Sequence, residues 1–479
     1  MTKHPVIIQG GMGVGVSDWR LAQAVSRTGH LGVVSGTALD LILVRRLQTG
    51  DAGGHVRRAL DGFPFRAMAA RILDRFFIAG GKAPDAPFVA LPLHAKHDSR
   101  ELVELCIAAN FVEVALAREG HENPVGINYL EKIQLPHLPS LYGAMLAGVS
   151  YVLMGAGIPM RIPAALDRLA RHEPAIYPLH VIGAEEGDNT TLSFDPWAFM
   201  EADLPPLVRP SFLPIVSSHV LAATLLKKAS GPVDGFIVEG PTAGGHNAPP
   251  RGKVQLNETG EPVYGDRDVV DLDRMRALGV PFWLAGGYGS PSRLREALEE
   301  GAQGIQVGTA FAFCDESGMR ADCKAALREK AARGDTLVFT DRLASPTSFP
   351  LKVAALNGTL SEPEVYEART RVCDLGYLRE AYRQPDGQIG FRCAAEPVSV
   401  YVAKGGNIAD TAGRKCICNG LVATMGFPQV RGRSLEPPLI TSGNALEEIA
   451  AFMRAGDTSY TAADVITRLL GPTESDDES

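Results

Sequence analysis

The sequence predicts an α/β protein built on a closed (β/α)₈ barrel, the TIM-barrel fold, with insertions and an appended, mainly helical C-terminal region. Three observations predict it. Short apolar runs rich in β-branched residues recur through residue 310, amphipathic helical stretches separate them, and glycine-bearing turns follow several of the runs. Strands that are apolar on both faces and alternate with helices form parallel sheets. Eight such units favour a closed barrel over the alternative, an open doubly wound sheet.

Eight runs are the predicted barrel strands. In chain order they are Val6–Gln9, Leu31–Ser35, Val125–Tyr129, Tyr151–Met154, Leu213–Val216, Phe236–Glu239, Phe282–Ala285 and Gly304–Val307. Apolar residues at three- and four-residue spacing predict helices at Asp18–Arg27, Pro163–Arg171, His219–Ala229, Val269–Leu278 and Pro291–Glu299. Three further candidate strands, which we assign to insertions after the second and fourth barrel strands, are Phe88–Leu93, Val112–Leu116 and Leu179–Ile182.

The regular alternation of strands and helices ends near residue 340. Beyond it, Pro, Gly and Cys punctuate short predicted helices such as Glu362–Asp374 and Ala445–Arg454. We therefore divide the chain into a barrel, residues 1–342, an appended region packed on it, residues 343–471, and an acidic tail, residues 472–479, which is expected to be disordered. Three roles are open for the appended region: covering the mouth of the barrel, assembling a homo-oligomer, or docking a carrier protein.

The composition is that of an ordinary globular enzyme and argues against several other classes of protein. Of the 479 residues, 45% are hydrophobic and 21% are charged. A net charge of −8 disfavours nucleic-acid binding, which needs a basic surface. No apolar run is long enough to predict a membrane span. Because the first residues lack the apolar core of a secretion signal, we expect a cytoplasmic protein whose seven cysteines are reduced.

Four glycine-bearing turns follow predicted strands, at the barrel face where active sites lie. They are Gln9–Gly13, Gly240–His246, Ala285–Gly289 and Gln306–Ala310, after the first, sixth, seventh and eighth strands. Glycine lets backbone N–H groups approach a ligand closely and tolerates positive φ. Loops after the seventh and eighth strands of barrels bind phosphate, so we predict a phosphate-bearing cofactor near Gly287, Gly308 and Thr309. The alternative is that these glycines only permit tight turns.

His246 ends the turn after the sixth strand. Histidine is the side chain best suited to proton transfer near neutral pH. We therefore expect the reactive part of the cofactor to face His246. The alternative is an exposed histidine at the end of a glycine-rich turn.

Several segments together resemble the nitronate monooxygenase family, once called 2-nitropropane dioxygenases. The resemblance lies in Pro5–Gly13, Val125–Asn128, Gly155–Pro159, Glu239–His246, Ala285–Gly287 and Gln306–Thr309. It implies a (β/α)₈ barrel that binds FMN without covalent attachment and uses dioxygen to oxidise small alkyl nitronates to carbonyl compounds and nitrite. FMN- and NAD(P)H-dependent enoyl-thioester (enoyl-ACP) reductases of fatty-acid or polyketide synthesis resemble the same motifs and are the alternative. An alternative of another class is a non-catalytic scaffold that binds partners through the appended region.

The resemblance also implies roles for single residues. His246 would be the catalytic base. Glu239 stands where the family often has Gln, and a carboxylate there would disfavour an anionic reduced flavin. Thr340–Thr347 resembles a late loop of the family that closes over the flavin. The implied cofactor-binding residues are Gly11, Met12, Asn128, Glu239, Gly244, Gly245, Gly286, Gly287, Gln306, Val307, Gly308 and Thr309.

No metal site is predicted from the spacing of cysteines and histidines. The appended region contains Cys373, Cys393, Cys416 and Cys418, but it lacks the paired C-x₂-C knuckles of zinc and iron–sulfur sites. Buried, reduced thiols are therefore predicted. Solvated or capping roles are predicted for the histidines in the insertions, namely His94, His97, His121 and His137.

Overall fold

A closed sheet of eight parallel strands forms the centre of the computed structural model, which describes residues 4–185, 187–454 and 456–471. The strands of the protein are β1 (Ile7–Gln9), β2 (Gly32–Ser35), β3 (Val125–Leu130), β4 (Tyr151–Gly155), β5 (Ala175–Pro178), β6 (Val181–Ile182), β7 (Thr191–Phe194), β8 (Ser211–Val216), β9 (Phe236–Glu239), β10 (Gly245–His246), β11 (Phe282–Ala285), β12 (Gly304–Val307), β13 (Val338–Asp341), β14 (Leu351–Ala354), β15 (Glu380–Arg383), β16 (Ile389–Arg392), β17 (Val430–Arg431) and β18 (Ser434–Leu435).

Helices surround this sheet and also form most of the regular structure that follows it. They are α1 (Trp19–Arg27), α2 (Leu39–Gln48), α3 (His55–Asp61), α4 (Arg66–Phe76), α5 (Arg100–Arg118), α6 (His137–Leu146), α7 (Ile162–Ala170), α8 (His219–Lys228), α9 (Leu272–Arg276), α10 (Pro291–Glu299), α11 (Thr309–Ala312), α12 (Ala321–Ala332), α13 (Pro363–Ala368), α14 (Val398–Ala403), α15 (Ile417–Thr424) and α16 (Ala462–Leu470). Short 3₁₀ helices occur at Ala52–Gly54, Pro196–Ala198, Asp266–Asp268, Ile408–Thr411 and Asn444–Phe452. Within the described ranges, no helix is long and apolar enough to span a bilayer.

The barrel closes between its first two strands. Its strand order is β1-β12-β11-β9-β8-β4-β3-β2, and every pairing within it is parallel. Closure comes from a parallel bridge between Ile8 and Leu31, where the Gln9 N–H donates to the Leu31 carbonyl at 2.9 Å. Buried side chains, among them Val33, Ile237 and Trp283, fill the interior of the barrel. Because all eight strands run the same way, their carboxyl ends meet at one rim.

The eight predicted strands and the barrel are confirmed, and the predicted insertions lie between β2 and α5 and between α7 and β8. Of the three extra candidates, Val112–Leu116 was wrong because it lies inside α5. Most of the 19 residues of α5 are buried, so its apolar run is continuous and hides the helical period. Phe88–Leu93 forms no strand, and the third candidate contributes only the short strand β6, which pairs with β15.

Three predicted helices are shorter or of another type. α9 begins late because the Asp271 side chain caps it by accepting from the Arg274 N–H at 3.0 Å. α13 ends at Ala368, since Arg369 adopts an extended backbone and its guanidinium pairs with the buried Glu436. The segment predicted as a helix at Ala445–Arg454 is the 3₁₀ helix Asn444–Phe452.

The end of the appended region is built into the barrel. Helix α16 packs against both α1 and α10, so it occupies the position of the eighth outer helix. Its Val465 and Leu469 belong to the same buried cluster as Ile7 of β1 and Ile305 of β12. The division at residue 342 stays a prediction, and the predicted acidic tail, residues 472–479, lies outside the described residues.

Another part of the appended region covers the rim of the barrel. Strand β14 pairs antiparallel with β13 and with β10, the two-residue strand that ends in His246. The hairpin β15–β16 extends towards the insertion after β4, where it adds β6. Strand β14 and the hairpin β15–β16, which come late in the sequence, therefore cover the rim where the barrel strands end.

Substitutions in α16 test whether the helix is part of the barrel core. Leu469 is 1% exposed and Leu470 is 51% exposed. Leu469→Ala is expected to lower the free energy of unfolding by roughly 2–5 kcal/mol because it leaves a cavity in a packed core. Leu470→Ala is the matched control and should change it by less than about 0.5 kcal/mol. Denaturant unfolding followed by circular dichroism measures both, and equal losses would contradict the core role of α16.

Candidate active site

A cavity of about 240 Å³ opens at the rim formed by the carboxyl ends of the barrel strands. The turns after β1, β9, β11 and β12 line it, together with the end of β3. Every residue predicted for the site from sequence lies in its wall: Gly11, Met12, Asn128, Glu239, Gly244, Gly245, His246, Gly286, Gly287, Gln306, Val307, Gly308 and Thr309. The structure thus brings these residues together, while their roles towards a ligand stay predictions.

The turn after β1 is held by a buried serine. The Ser17 Oγ accepts from the Met12 N–H at 2.9 Å and donates to the Gly10 carbonyl at 2.9 Å. A Cβ on Gly11 would lie 2.4 Å from the Cβ of Asn128. Glycine is therefore required at position 11 so that the turn can pack against β3, which directs Met12 and Asn128 at the same cavity.

The turns after β9 and β11 also pack on each other. Gly286 has φ of +87°, and a Cβ there would lie 3.0 Å from the Ala243 nitrogen and the Gly240 carbonyl oxygen. In contrast, Gly245 has φ of +78°, and a Cβ there would meet no atom of another described segment within 4 Å, so its face is open. Gly286 therefore permits two turns to pack closely, as the tight-turn interpretation expects. Gly245 leaves bare backbone beside the cavity, as the ligand-binding interpretation expects.

Two amide side chains in the cavity wall have buried oxygens that accept no hydrogen bond from the part of the chain that the structure describes. They are the Oδ1 of Asn128 and the Oε1 of Gln306. The Nδ2 of Asn128 donates to the Gly11 carbonyl at 3.4 Å, which leaves its oxygen directed elsewhere. A buried acceptor without a donor costs about 1–3 kcal/mol. A ligand that presents N–H or O–H groups would remove this cost.

Backbone from the appended region meets the turn after β12. The Gly443 N–H donates to the Thr309 Oγ at 3.0 Å, and the Asn444 N–H donates to the Thr242 carbonyl at 3.1 Å. A Cβ on Gly244 would lie 2.7 Å from the Gly443 nitrogen. Because Thr309 only accepts this hydrogen bond, its hydroxyl proton remains free to be donated to a ligand. The turn at residues 442–444 of the appended region closes the end of the cavity where phosphate is predicted to bind.

His246 lies at the start of a chain of polar groups. Its Nε2 is 2.7 Å from the Ser345 Oγ, which is 2.8 Å from the Thr347 Oγ1. The Lys132 Nζ donates to the same Thr347 oxygen at 3.2 Å and lies 4.2 Å from the centre of the Phe349 ring. Each hydroxyl can either donate or accept, so the chain supports His246 in either neutral tautomer. The loop predicted to close over a flavin, Thr340–Thr347, therefore supplies the partner of the histidine.

The electrostatics of the mouth keep His246 neutral. Burial, followed by the nearby Lys132 ammonium, holds the pKa of His246 well below its usual value. Burial also lowers the pKa of Lys132 to about 7, although Glu131 opposes this shift. Desolvation disfavours the charged form of each group. At neutral pH the imidazole of His246 is therefore available as a proton acceptor.

Glu239 ends β9 in the wall between the main cavity and a second cavity of about 220 Å³. Its carboxyl has no hydrogen-bond partner among the described residues, and burial raises its pKa to about 7. At neutral pH a substantial fraction of this carboxyl is therefore protonated. A protonated Glu239 carries no charge, so it would disfavour an anionic reduced flavin less than the carboxylate expected from the sequence.

The second cavity shares Glu239 and His246 with the wall of the main one. Apolar Ile158 and Leu221 lie in its wall together with Arg251. The guanidinium of Arg251 is exposed and donates to the backbone carbonyls of Ser217 and Arg267. Arg251 and His246 thus both lie in the wall of this mainly apolar second cavity.

Sequence reasoning missed the residues that the appended region adds to the main cavity. They are Leu351, Tyr377, Leu378, Ile417, Cys418, Leu421, Thr424, Leu439, Thr441, Ser442, Gly443, Ala445, Glu448, Ile449 and Phe452. The Ser-Gly-Asn turn at residues 442–444 is the one local signal that could have indicated them. All four cysteines of this region are free thiols; Cys393 and Cys416 are buried, whereas Cys373 and Cys418 are half-buried.

The predicted roles of two histidines were wrong. His94 is only 3% exposed and lies between the carboxylates of Asp40 and Asp98. His137 is 2% exposed, and its Nε2 is 3.1 Å from the Leu130 carbonyl oxygen. Both are buried, hydrogen-bonded groups of the interior: His94 lies in the insertion after β2, whereas His137 begins α6, the helix between β3 and β4.

The similarity to known proteins is concentrated in the barrel. Residues 211–346 match the model of the nitronate monooxygenase family. The matched segment contains β8 to β13 and hence the turns after β9, β11 and β12. The resemblance found in the sequence motifs is thereby confirmed.

Curated relatives carry the family name. The nitronate monooxygenase of Pseudomonas aeruginosa is 33% identical over 153 residues, which are 30% of this chain and 40% of that protein. A probable nitronate monooxygenase of Bacillus subtilis is 33% identical over 126 residues, which are 26% of this chain and 34% of that protein. The chain spans less than half the length of the curated relatives it matches.

Solved structures cover nearly the whole chain at low identity. FabK from Thermotoga maritima has a TM-score of 0.45 and 17% identity, and the alignment covers 98% of this chain and 92% of that one. A nitroalkane oxidase from Streptomyces ansochromogenes has a TM-score of 0.46 and 16% identity, with 97% and 94% of the two chains covered.

The raised pKa of Glu239 predicts a pH-dependent cost in stability. Folding favours the protonated carboxyl, because the folded pKa of about 7 exceeds the ordinary value of 4.5. The cost is absent below pH 4.5, grows as the pH rises to 7, and is constant above it. Glu239→Gln should therefore unfold like the wild type at pH 4.5 but be more stable at pH 8, by roughly 1–3 kcal/mol.

Denaturant unfolding at the two pH values measures this difference. Glu258→Gln is the matched control, since Glu258 is exposed on the loop after β10 and its substitution should leave stability unchanged at both. A Glu239→Gln protein whose advantage does not depend on pH would contradict the assignment.

Proposed function

We propose that the chain is a flavin-dependent oxidoreductase that binds FMN in the main cavity and oxidises small alkyl nitronates, or the nitroalkanes that give rise to them, with dioxygen. The products would be a carbonyl compound and nitrite. The observation that carries the proposal is a neutral, desolvated His246 beside a cavity whose wall consists of four glycine-bearing turns. The match of residues 211–346 to the nitronate monooxygenase family model supports the same reaction class.

The residues present fit a flavin mononucleotide. The orphaned oxygens of Asn128 and Gln306 match the N–H and ribityl O–H donors of such a group. The open backbone at Gly245 suits a flat ring, and Gly287, Gly308 and the Thr309 hydroxyl offer donors for a single phosphate. A bound flavin supplies the two-electron oxidation of the substrate carbon and the subsequent reaction with dioxygen.

His246 would act as the general base towards a neutral nitroalkane. Its imidazole accepts the proton from the carbon that bears the nitro group and leaves the carbanion-like nitronate. The Ser345 hydroxyl orients the ring, and Ser345 and Thr347 together connect the ring to Lys132, which gives the proton a path along hydrogen bonds. A nitronate supplied directly needs no such proton transfer.

The appended region would exclude water from this chemistry. Its Leu351, Ile417 and Leu439 add apolar surface to the cavity wall. A water-poor site strengthens electrostatic interactions and protects reactive species from side reactions. Covering the mouth is therefore the role we propose for residues 343–452; assembly into a homo-oligomer and docking of a carrier protein remain outside this proposal.

The decisive experiment compares two substrates in one variant. His246→Asn is expected to lower kcat/KM for a neutral nitroalkane by on the order of 10²–10⁴, because the variant has no base. For the preformed nitronate the loss should be less than about tenfold, since no proton has to be removed. Oxygen consumption measures both rates in FMN-loaded protein. Equal losses on the two substrates would remove the base assignment.

The reductase alternative differs in its electron donor, which would be NAD(P)H and not the nitronate. An FMN- and NAD(P)H-dependent enoyl-thioester reductase would bleach the flavin absorbance rapidly when mixed with NADPH without oxygen. The proposed enzyme should bleach with a nitronate and not with NADPH. Rapid bleaching by NADPH alone would contradict the proposal and favour the reductase, with a carrier protein as its partner.

Lys132 is predicted to set the pH range in which His246 works. Its ammonium helps to keep the histidine pKa low, so removing the charge should raise that pKa. Activity on a neutral nitroalkane falls as His246 becomes protonated, so Lys132→Met should move the acid limb of kcat/KM to higher pH by roughly half to one unit.

The matched control is Lys253→Met, a substitution of an exposed lysine on the loop after β10. Its profile should coincide with that of the wild type. The nitronate profile of Lys132→Met should also lack the shift, because that substrate does not use the base. An acid limb that stays in place on the neutral nitroalkane would show that Lys132 acts on structure alone.

A further inference from the structure

A second group of chemically active side chains lies behind the wall of the main cavity, in the insertion after β2. It consists of Asp40 on α2, His94 on the loop before α5, and Cys106 on α5. One oxygen, nitrogen or sulfur atom from each lies within 4.8 Å of the other two. The three residues are 4%, 3% and 1% exposed, respectively. Three different kinds of metal-ligating atom therefore converge on one buried point.

The ring of His94 is oriented as a metal ligand would be. Its Nδ1 lies 2.5 Å from the Asp98 Oδ2, and the other oxygen of Asp98 accepts from the Ala95 N–H at 2.7 Å. The Nε2 faces the Asp40 Oδ2 at 3.2 Å. Histidines that bind metals commonly donate the other ring N–H to a carboxylate, which fixes both the tautomer and the orientation of the ring.

A hydrogen bond to its second carboxylate oxygen also holds Asp40 in place. The Tyr377 hydroxyl donates to the Asp40 Oδ1 at 2.8 Å, so Oδ2 is left to face His94. A small cavity of about 20 Å³ adjoins Asp40 and Tyr377. That volume is enough for one water molecule. Asp40 and Tyr377 line this cavity, whereas His94 and Cys106 do not, so the cluster itself offers three protein ligands, of which Asp40 and His94 are oriented by hydrogen bonds.

We propose that Asp40, His94 and Cys106 bind one zinc ion through the Asp40 Oδ2, the His94 Nε2 and the Cys106 Sγ. Mixed oxygen, nitrogen and sulfur donors in a four-coordinate arrangement suit zinc, whereas magnesium and calcium require oxygen ligands alone. The ion would replace the proton at Nε2 and the thiol proton of Cys106, so the charge of the cluster is the same before and after binding. The alternative is a metal-free ion triad, in which a protonated His94 pairs with Asp40 and Asp98.

The site would add a metal link between elements that already share hydrogen bonds at Asp40. Asp40 and Cys106 lie on separate helices, and Tyr377 belongs to the appended region and also lines the main cavity. Zinc would therefore anchor the insertion after β2 to the cover of the mouth. Zinc binding here is independent of the proposed function, because it requires neither a flavin nor turnover.

Metal analysis of the full-length, untagged protein tests the proposal. After expression with added zinc and extensive dialysis, mass spectrometry should find about one zinc per chain. Cys106→Ser should lose most of it. Cys323→Ser is the matched control, because Cys323 is also a buried helical cysteine and lies on α12, away from the cluster. A wild type without zinc, or equal zinc in both variants, would overturn the proposal in favour of the ion triad.

Cobalt substitution keeps the test valid if the Cys106 variant fails to fold. Wild-type protein stripped of zinc and loaded with Co²⁺ should show the visible bands of a tetrahedral ion and a near-ultraviolet charge-transfer band from a cobalt–thiolate bond. Added zinc should abolish these bands. Octahedral cobalt spectra, or none, would mean that no such site exists, whatever the result for oxidation of nitronates.

Discussion

Burial at the mouth of the barrel is the constraint on which the ionisation of the site depends. Burial is the first cause of the shifted pKa of His246, of Lys132 and of Glu239. Each shift favours the uncharged form. The barrel alone would leave its rim open, because the carboxyl ends of eight strands form an edge and not an enclosure. Strand β14, helix α15 and the turn at residues 441–445 complete the enclosure.

Among the described residues none of the three ionisable groups forms an ion pair, although the nearby Glu131 offsets part of the desolvation of Lys132. Lys132 contacts Thr347 and the face of Phe349, both uncharged, and Glu239 lies across the cavity without a partner among the residues described. A Lys–Glu pair would have fixed both charges and removed their sensitivity to pH. Lys132 and Glu239 are instead two separate groups near His246 whose charge changes near neutral pH. Structural ion pairs elsewhere, such as Arg46 with Glu113 and Asp18, are kept away from this wall.

The barrel and its rim could be predicted from sequence because the relevant signals are local. A short apolar run such as Phe282–Ala285, followed by a glycine turn, contains the information for both a strand and its place at the rim. The cover could not be predicted in this way. His246 pairs with Leu351 between antiparallel strands, and the Gly443 N–H donates to the side-chain oxygen of Thr309; neither contact has a periodic signature in the sequence. The same holds for Asp40, His94 and Cys106, since ligand atoms from two helices and a loop share no fixed spacing along the chain.

The position of α16 has a consequence for how the protein is made. The eighth outer helix of the barrel lies about 150 residues beyond the last barrel strand in the chain, and it packs against the first helix, α1. During synthesis at about 5–20 residues per second, the barrel would wait on the order of ten seconds for this helix to be translated. Throughout that interval the apolar faces of α1 and α10 would be uncovered. These faces are therefore prone to aggregation until α16 has been made and covers them.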